Sequence, residues 1–351
     1  MTENEAYIDR LVDESALRAY LESELGDADE FTVEHHPEGH SNETLFVNWG
    51  GRDLVLRRPP AGETAESAHD VLREYRVISA LTDTDVPVPT PVLACDDTSV
   101  IGGDFYLMER LDGYVIRDEE PEQFATPEHR RRIGETLIDT LARIHTVDYE
   151  AVGLGDIGRP EGYTERQVDR WGKQFEWAYE TTAEHREVPH VETVREWLEA
   201  NVPAEHEHTL VHGDFKLDNV MYAKRTPPEI TAVFDWEMGT LGDPLADLGW
   251  MLCYWDTDPL SEELMPTFLD RPGYPSREEI VDRYERQSGI EFTNRRFYIT
   301  LRLYMLIAVC EMFYARYLSG NSDDDLYPKM EALVPKISRR AMEVIEGKRD
   351  I

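Results

Sequence analysis

The segment LVHGDFKLDNVMY, residues 210–222, decides the fold predicted for this chain. Two short apolar runs flank a polar loop with one histidine, two aspartates, one lysine and one asparagine. A second segment, TAVFDWE at residues 231–237, is an apolar strand that ends at Asp235. Together they bring a base, a cation and oxygen ligands to the ends of short strands. Phosphoryl transfer needs this set, because its loose transition state depends on positioning, charge neutralisation and metal ions.

The spacing within this loop resembles a known pattern. His212, Asp214 and Asn219 match the kinase catalytic loop, in which an asparagine follows the His-x-Asp aspartate by five residues. The form HGDFKLDN resembles the aminoglycoside phosphotransferase and choline kinase-like family rather than the protein kinases. GDPLADLGW, residues 242–250, is also similar to this family, in particular to the kinase-like domain fused to acyl-CoA dehydrogenases in animals. The resemblance covers residues 30–320.

The resemblance implies a role for each of four polar residues. Asp214 would accept or orient the proton of a substrate hydroxyl. Asn219 and Asp235 would hold Mg²⁺ through oxygen ligands, which a hard cation prefers. Lys216 would lie near the transferring phosphate, with a solvated loop cation as the alternative. The predicted catalytic residues are Asp214 and Lys216. The predicted metal ligands are Asn219 and Asp235.

The N-terminal part of the chain is implied to bind ATP. The family's phosphate-pairing lysine follows a Val-Ala-Ile-type strand, and the corresponding strand here, LVLRR at residues 54–58, carries arginine. Arginine keeps the charge and grips phosphate in a bidentate way, but it is not equivalent to lysine. Alternation from Val55 selects Arg57 over Arg58. Glu74 is the implied ion-pair partner, with a solvent-facing helix carboxylate as the alternative.

The predicted cofactor-binding set combines three segments. A turn with a single glycine can cradle phosphates through its backbone N–H groups, although an ordinary hairpin loop is the alternative. A hinge, Met108-Glu109-Arg110-Leu111, would meet adenine through its backbone. The set consists of Gly39, His40, Ser41 and Asn42 in the turn, Arg57 and Glu74, and Met108, Glu109 and Arg110 in the hinge.

Three other polar residues are given supporting interpretations. His212 is interpreted as a structural support of the loop rather than as a catalyst. Asp218 is interpreted as a surface or capping residue. For Asp247 two interpretations stay open: it braces the catalytic loop from the following helix, or it supplies negative charge to the first turn of that helix.

The predicted elements divide the chain into a strand-rich part and a helical part. Residues 1–112 are predicted to form a small nucleotide-binding lobe with an antiparallel sheet. Residues 113–351 are predicted to form a larger helical lobe with the catalytic loop and the acceptor site. The fold class is thus α+β, in the protein-kinase-like two-lobed form that the resemblance implies. Predicted helices cover 8–25, 64–81, 127–145, 165–182, 191–201, 277–287, 295–318 and 326–346, and predicted strands cover 31–35, 43–49, 52–57, 92–95 and 104–109.

The predicted function is ATP-dependent transfer of the γ-phosphate to a hydroxyl of a small molecule. A pseudokinase, acting as a nucleotide-binding or interaction module, is the first alternative, favoured by the arginine and the poor glycine turn. A protein kinase is disfavoured by the HGD loop and by Trp236-Glu237 in place of Phe-Gly. A non-catalytic structural domain leaves the spacing unexplained. Acceptor classes are aminoglycosides, choline-like amines, amino-alcohols, sugars and hydroxyacyl compounds including coenzyme A esters, and the resemblance favours the last.

The composition of the chain is strongly acidic. Its 36 basic and 72 acidic residues give a net charge of −36, while 41% hydrophobic residues indicate a folded protein rather than disorder. Such a polyanion repels phosphate backbones and anionic lipids, so nucleic-acid and membrane partners are disfavoured. Only six of the basic residues are lysines. This pattern resembles proteins of salt-loving microbes, so a halophilic, haloarchaeal protein is predicted, with an ordinary acidic cytosolic protein as the alternative.

The chain is predicted to be cytoplasmic. Cys95, Cys253 and Cys310 lie in apolar stretches, which suits buried thiols in a reducing compartment. The start, MTENEAYIDR, lacks the basic and apolar regions of a signal peptide. The most apolar stretch, residues 303–310, is far shorter than the ~20 residues of a membrane span. The sequence indicates no particular oligomeric state.

The halophilic interpretation predicts that salt stabilises the protein. The screening length falls from ~30 Å at ~0.01 M salt to ~3 Å at ~1 M, so repulsion among surface carboxylates weakens. The melting temperature, followed by circular dichroism, should therefore be higher in molar KCl than in low salt. An uncharged osmolyte at equal osmolality is the control that separates screening from solute exclusion. A higher melting temperature in low salt would contradict the interpretation.

Overall fold

The structure combines an N-terminal sheet with a mainly helical remainder, which is the two-lobed α+β arrangement predicted. It is a computed structural model. The residues that it describes are 8, 10–36, 42–60, 70–204, 207–255, 260, 265–320 and 324–349.

The N-terminal sheet is antiparallel throughout, with the strand order β1-β2-β3-β5-β4. Gly50-Gly51, between the predicted strands 43–49 and 52–57, predicts a two-residue hairpin turn. The turn is confirmed, and its φ angles of 58° and 84° are ones that glycine adopts easily. Helices α1 and α2 accompany the sheet. The elements are α1 (Glu14–Leu25), β1 (Phe31–His36), β2 (Glu43–Trp49), β3 (Arg52–Arg58), α2 (Val71–Leu81), β4 (Pro91–Cys95) and β5 (Phe105–Glu109).

Two predicted helices of this lobe differ in extent. The helix predicted over 8–25 is interrupted, because the Asp13 side chain accepts hydrogen bonds from the amides of Ser15 and Ala16 and so caps a new helix, α1. Of the helix predicted over 64–81, residues 64–69 lie outside the described residues.

The alternation of β3 determines which side chains face the second lobe. Leu54 and Leu56 belong to the apolar cluster of the N-terminal lobe, whereas Val55 joins the larger cluster that continues into the helical part. Arg58 is buried on the first face, where its guanidinium donates to backbone carbonyls. Arg57 therefore shares the face of Val55.

The remainder of the chain carries the helices predicted from periodicity and two small antiparallel sheets, β7-β10 and β6-β8-β9. The predicted helix ends are confirmed to within a few residues. The elements are β6 (Gly113–Tyr114), α3 (Pro127–His145), α4 (Tyr163–Thr182), α5 (Val191–Ala200), β7 (Thr209–Val211), β8 (Val220–Ala223), β9 (Ile230–Val233), β10 (Thr240–Gly242), α6 (Pro244–Tyr254), α7 (Arg277–Ser288), α8 (Arg295–Leu318) and α9 (Met330–Ile345).

Helix α6 is one that amphipathic periodicity does not predict. Every residue from Pro244 to Tyr254 is buried, so no polar face marks the helix in the sequence. Its beginning has a local cause. Asp243 accepts a hydrogen bond from the amide of Leu245, and Pro244 occupies the first helical turn, where its missing N–H is not needed. This helix packs against β7 and α8 and thus lies behind the loop that follows β7.

Helix α8 is the central helix of the larger lobe. By length and composition it is apolar enough to cross a membrane, which the shorter run at residues 303–310 does not suggest. Of its most apolar window, 83% is buried inside the fold. It packs against α4, α6 and α9, so its apolar composition is accounted for by the core.

Gly134 in α3 is a position where close packing should make one methyl group costly. An added Cβ would lie 2.5 Å from Cγ of Pro275 and 3.1 Å from the Trp255 ring. Alanine favours a helix by up to ~1 kcal/mol, but overpacking typically costs ~1–3 kcal/mol. Gly134→Ala should therefore lower the free energy of unfolding in a denaturant titration. Gly155→Ala, whose nearest neighbour would be 3.9 Å away, is the control. Equal stability of the two variants would contradict the packing argument.

Candidate functional site

The catalytic loop, residues 212–219, leaves β7 through a turn that requires glycine. Gly213 has a φ of 89°, in the left-handed region that favours a residue without Cβ. An added Cβ would lie 2.6 Å from Cβ of Met238. The HGD form of the loop therefore has both a conformational and a packing cause.

Asp247 of α6 holds this turn from behind. Its carboxylate accepts the amide of His212 at 2.6 Å and the amide of Gly213 at 3.0 Å. His145 Nε2 and Arg302 Nη2 each lie 3.4 Å from the same carboxylate. Burial opposes ionisation, yet the hydrogen bond from His145 and the nearby positive charge hold the pKa of Asp247 below its usual value. Of the two interpretations of Asp247, the geometry supports the brace.

His212 joins the loop to the segment that carries Asp235. Its ring Nδ1 lies 3.2 Å from the amide of Asp214, which donates to it, so the ring proton is on Nε2. Nε2 then donates to the carbonyl of Phe234 at 2.8 Å, and the amide of Phe234 donates to the carbonyl of Asn219 at 2.8 Å. Both ring nitrogens are engaged and the side chain is buried, which agrees with a structural support rather than a catalyst.

Asp214 is held by a donor on each carboxylate oxygen. Trp250 Nε1 donates to Oδ1 at 2.8 Å, and Asn219 Nδ2 donates to Oδ2 at 2.9 Å. The same Asn219 amide donates to the Asp214 carbonyl at 2.8 Å, which leaves Asn219 Oδ1 as an acceptor. Lys216 Nζ lies 3.5 Å from Oδ2, and the Asp214 side chain is 23% exposed. A substrate can therefore reach the carboxylate.

Lys216 lies between two aspartates rather than in open solvent. Its Nζ is 3.5 Å from Asp214 and 3.9 Å from Asp218. Burial opposes the charge, yet these aspartates raise the pKa of Lys216 above its usual value. Asp218 also accepts the hydroxyl of Tyr254, and burial raises the pKa of Asp218. The interpretation of Asp218 as a surface or capping residue is wrong, because it belongs to this cluster.

Arg57 connects the N-terminal sheet to the catalytic segment. Its Nη1 donates to Oγ1 of Thr44 at 3.0 Å, and its Nη2 lies 3.6 Å from Glu74 and 3.8 Å from Asp235. Glu74 is 2% exposed, so the solvent-facing alternative is wrong. Burial raises the pKa of Glu74 and opposes the charge of Arg57, but the charge of Glu74 raises the pKa of Arg57.

Several buried polar atoms of the predicted site residues make no hydrogen bond among the described residues. They are Oδ1 of Asp235, Oε2 of Glu74, Nε of Arg57 and both side-chain polar atoms of Asn42. Asp235 also has a left-handed φ of 62° without being a glycine. Unpaired buried polar groups and strained backbone cost free energy and concentrate at ligand sites. The arrangement is suited to a bound cation beside a bound anion.

The structure describes the predicted hinge but only Asn42 of the predicted glycine turn. Gly39, His40 and Ser41 lie outside the described residues. Met108 is paired with Val55 at the end of β5.

Two hinge amides are already in use within the lobe. The amide of Glu109 donates to the carbonyl of Thr90 at 2.9 Å, and the amide of Arg110 donates to the carbonyl of Asp53 at 2.9 Å. Among the described residues, the amide of Leu111 makes no bond to a backbone carbonyl. Leu111 is therefore the hinge residue whose amide remains for a base.

Two residues of the site are not found by reading the sequence for charge. Trp250 and Tyr254 lie in the uniformly apolar α6, where nothing distinguishes them from core aromatics. Their positions three and seven residues after Asp247 place all three on one helix face. That spacing is the signal that identifies them once Asp247 is recognised as the brace.

Comparison with known proteins supplies a family and relatives. Residues 32–281, well over half of the chain, match the family described as "Phosphotransferase enzyme family". Acyl-CoA dehydrogenase family member 11 of Gallus gallus is 34% identical over 320 residues, which are 89% of this chain and 40% of that protein. The chain thus spans about two-fifths of the length of the curated relatives it matches.

Solved structures share the fold. A crystal structure from Ralstonia eutropha JMP134, named provisionally as an aminoglycoside phosphotransferase, is 30% identical with a TM-score of 0.82. The match covers 95% of this chain and 98% of that one. The GDP complex of aminoglycoside 2'-phosphotransferase-IIIa is 15% identical with a TM-score of 0.64, and the match covers 93% and 99% of the two chains. The second likeness concerns the fold alone.

Asp247→Asn should weaken both the loop and the fold. The variant keeps an oxygen to accept one amide but leaves the buried Arg302 without its opposite charge. Breaking a buried pair costs about 3 kcal/mol, which denaturant titration at pH 7 would measure. Asp169→Asn, which removes one partner of the exposed Asp169–Lys173 pair, is the control. Similar losses in the two variants would contradict the buried brace.

The stability difference between the wild type and Asp247→Asn should also depend on pH. Because the folded-state pKa of Asp247 is lowered, its charge stabilises the fold fully above the unfolded value of ~3.9. The contribution is lost as the pH falls through the lower folded value. The stability difference between the wild type and Asp247→Asn should stay constant above about pH 5 and shrink below about pH 4.

Proposed function

The chain belongs to the phosphotransferase enzyme family, and from that premise we propose that it transfers the γ-phosphate of ATP to a hydroxyl of a small molecule. One observation carries the proposal. Asp214, accessible and held on both oxygens, lies on a loop joined by Phe234 to Asp235, which faces the Arg57–Glu74 pair. A base, oxygen ligands and a phosphate-pairing cation are thus on neighbouring segments.

The residues present fit a divalent cation. Oδ1 of Asp235 is buried without a hydrogen-bond partner among the described residues, and Asn219 has its amide nitrogen committed to Asp214. Carboxylate and amide oxygens are the ligands that Mg²⁺ prefers. Asn219 and Asp235 would hold it, and the bound metal would neutralise phosphate charge.

The residues present also fit a nucleotide. Arg57 has an unpaired Nε, and a guanidinium presents several donors in a plane that matches phosphate oxygens. Its partner Glu74 fixes its position from the buried side. The fold is shared with the GDP complex of aminoglycoside 2'-phosphotransferase-IIIa, which supports a nucleotide as ligand. Met108–Leu111 would meet the base, with the amide of Leu111 as donor.

The chemical step assigned to this chain moves one proton and one phosphoryl group. The acceptor hydroxyl donates its proton to Asp214 while its oxygen forms a bond to the γ-phosphorus. The bond from the γ-phosphorus to the bridging oxygen breaks, and ADP leaves. Lys216 would stabilise charge on the transferring group, and the 3.5 Å distance from its Nζ to Asp214 supports this role.

The acceptor class that we favour is a hydroxyacyl compound, including its coenzyme A ester. The support is the similarity to a kinase-like part of proteins named as acyl-CoA dehydrogenase family members. Aminoglycosides, amino-alcohols and sugars are the other classes to be screened, since fold alone does not determine substrate. A salt-rich cytoplasm is the expected setting from the composition.

The pseudokinase alternative is weakened by the way Arg57 is placed. The arginine makes the ion pair with Glu74 that the lysine of active kinases makes, so the substitution keeps the connection across the lobe. A nucleotide-binding module without transfer would bind magnesium and ATP but give no phosphorylated product with any acceptor class.

Asp214→Ala tests the proposed mechanism. Loss of a positioned acid–base group typically lowers the rate ~10²–10⁴-fold, so product formation should fall by that factor. The assay follows phosphorylated product from hydroxylated acceptors with ATP and magnesium in molar KCl. Binding of ATP, measured by calorimetry, should persist because Asp214 is not assigned to the nucleotide.

Asp169→Ala, which removes an exposed carboxylate from α4, is the matched control and should keep its turnover. An active wild type whose turnover survives Asp214→Ala would defeat the assigned mechanism. A wild type that binds ATP but phosphorylates none of the acceptors would favour the pseudokinase alternative.

A further inference from the structure

One face of α6 contacts the catalytic loop at two successive positions. Asp247 accepts the amides of His212 and Gly213. Three residues later, Trp250 donates its indole N–H to Asp214 at 2.8 Å. Residues at these spacings share one side of a helix, so a single rigid element reaches both the backbone of the loop and its reactive carboxylate.

We infer that Trp250 is a positioning residue for phosphoryl transfer, because its indole N–H fixes Oδ1 of Asp214 and so sets the orientation of the proton-accepting carboxylate. The inference rests on the proposed function. Trp250 touches neither the metal ligands nor Arg57 through any hydrogen bond among the described residues, and it acts through Asp214 alone.

The Asp214 carboxylate needs this donor because its contacts with Asn219 and Lys216 are both made by Oδ2. Asn219 Nδ2 and Lys216 Nζ both approach Oδ2, at 2.9 Å and 3.5 Å. Without a donor on Oδ1, the carboxylate is free to rotate until both of its oxygens approach the Asn219 amide and the Lys216 ammonium group. The indole opposes that rotation from the other oxygen.

An indole is chemically suited to this position. It donates one hydrogen bond and cannot accept or take up a proton, so it does not compete with Asp214 for the hydroxyl proton. Its apolar ring is buried, with 6% of Trp250 exposed. Tyr254, one turn further along α6, acts on the neighbouring Asp218 through its hydroxyl and leaves Asp214 to Trp250.

Trp250→Phe removes the indole N–H and keeps an aromatic ring. We expect kcat to fall by about tenfold to hundredfold, as for a misplaced reacting group, with the KM for ATP nearly unchanged. An unchanged kcat would overturn the inference.

Trp255→Phe is the matched control. Trp255 is buried next to the same helix, and its indole donates to the carbonyl of Pro275 at 3.0 Å rather than to Asp214. Its substitution removes a buried indole hydrogen bond of the same kind and should lower stability while leaving kcat nearly unchanged. A fall in kcat of the same size in Trp255→Phe would show a structural effect only and would overturn the specific role of Trp250.

A measurement independent of activity separates this inference from the proposed function. In ¹⁵N-labelled wild type, the Trp250 indole resonance is identified by its loss in Trp250→Phe. Its exchange with solvent should be slow in the wild type and at least about tenfold faster in Asp214→Ala, because the hydrogen bond is gone. Fast exchange in the wild type would overturn the inference whatever the turnover. Slow exchange in a wild type that forms no product would support the hydrogen bond between Trp250 and Asp214 but reject the proposed function.

Discussion

The site depends on one buried carboxylate that accepts two adjacent backbone amides. Asp247 takes the N–H groups of His212 and Gly213, and it remains charged inside the core because His145 and Arg302 lie against it. A turn of positive φ would otherwise leave these amides without partners. The brace therefore defines where the loop begins, and Asp214, Lys216 and Asn219 follow within seven residues of that point.

From this anchor the site is built by short local connections. His212 is hydrogen-bonded to Phe234, and Phe234 is hydrogen-bonded to Asn219, so the segment from β9 to Asp235 is tied to the loop. In the N-terminal lobe, the position of Arg57 depends on the alternation of β3 and on the ion pair with the buried Glu74. The two halves of the site are thus positioned by different elements and meet at one ion pair.

Much of this could be predicted from the sequence, because the decisive features are local. The loop spacing, the Gly50-Gly51 hairpin and the alternation that selects Arg57 are fixed by neighbours along the chain. The position of Asp218 and the state of the hinge amides could not be predicted, because they depend on contacts between distant segments. Helix α6 could not be predicted from periodicity, because burial on all sides removes the polar face that periodicity detects.

The ion pair between Arg57 and Asp235 has a thermodynamic consequence. The two groups are 3.8 Å apart, and each is the residue proposed to take a different ligand, a phosphate for Arg57 and a metal for Asp235. A ligand that occupies one group releases the other from its partner, so the second ligand binds to a group whose competing attraction has already been removed. Nucleotide and metal should then raise each other's affinity by the same factor, since such coupling is reciprocal. Binding of nucleotide and metal is then cooperative, and the cause is the single pair of charges Arg57–Asp235.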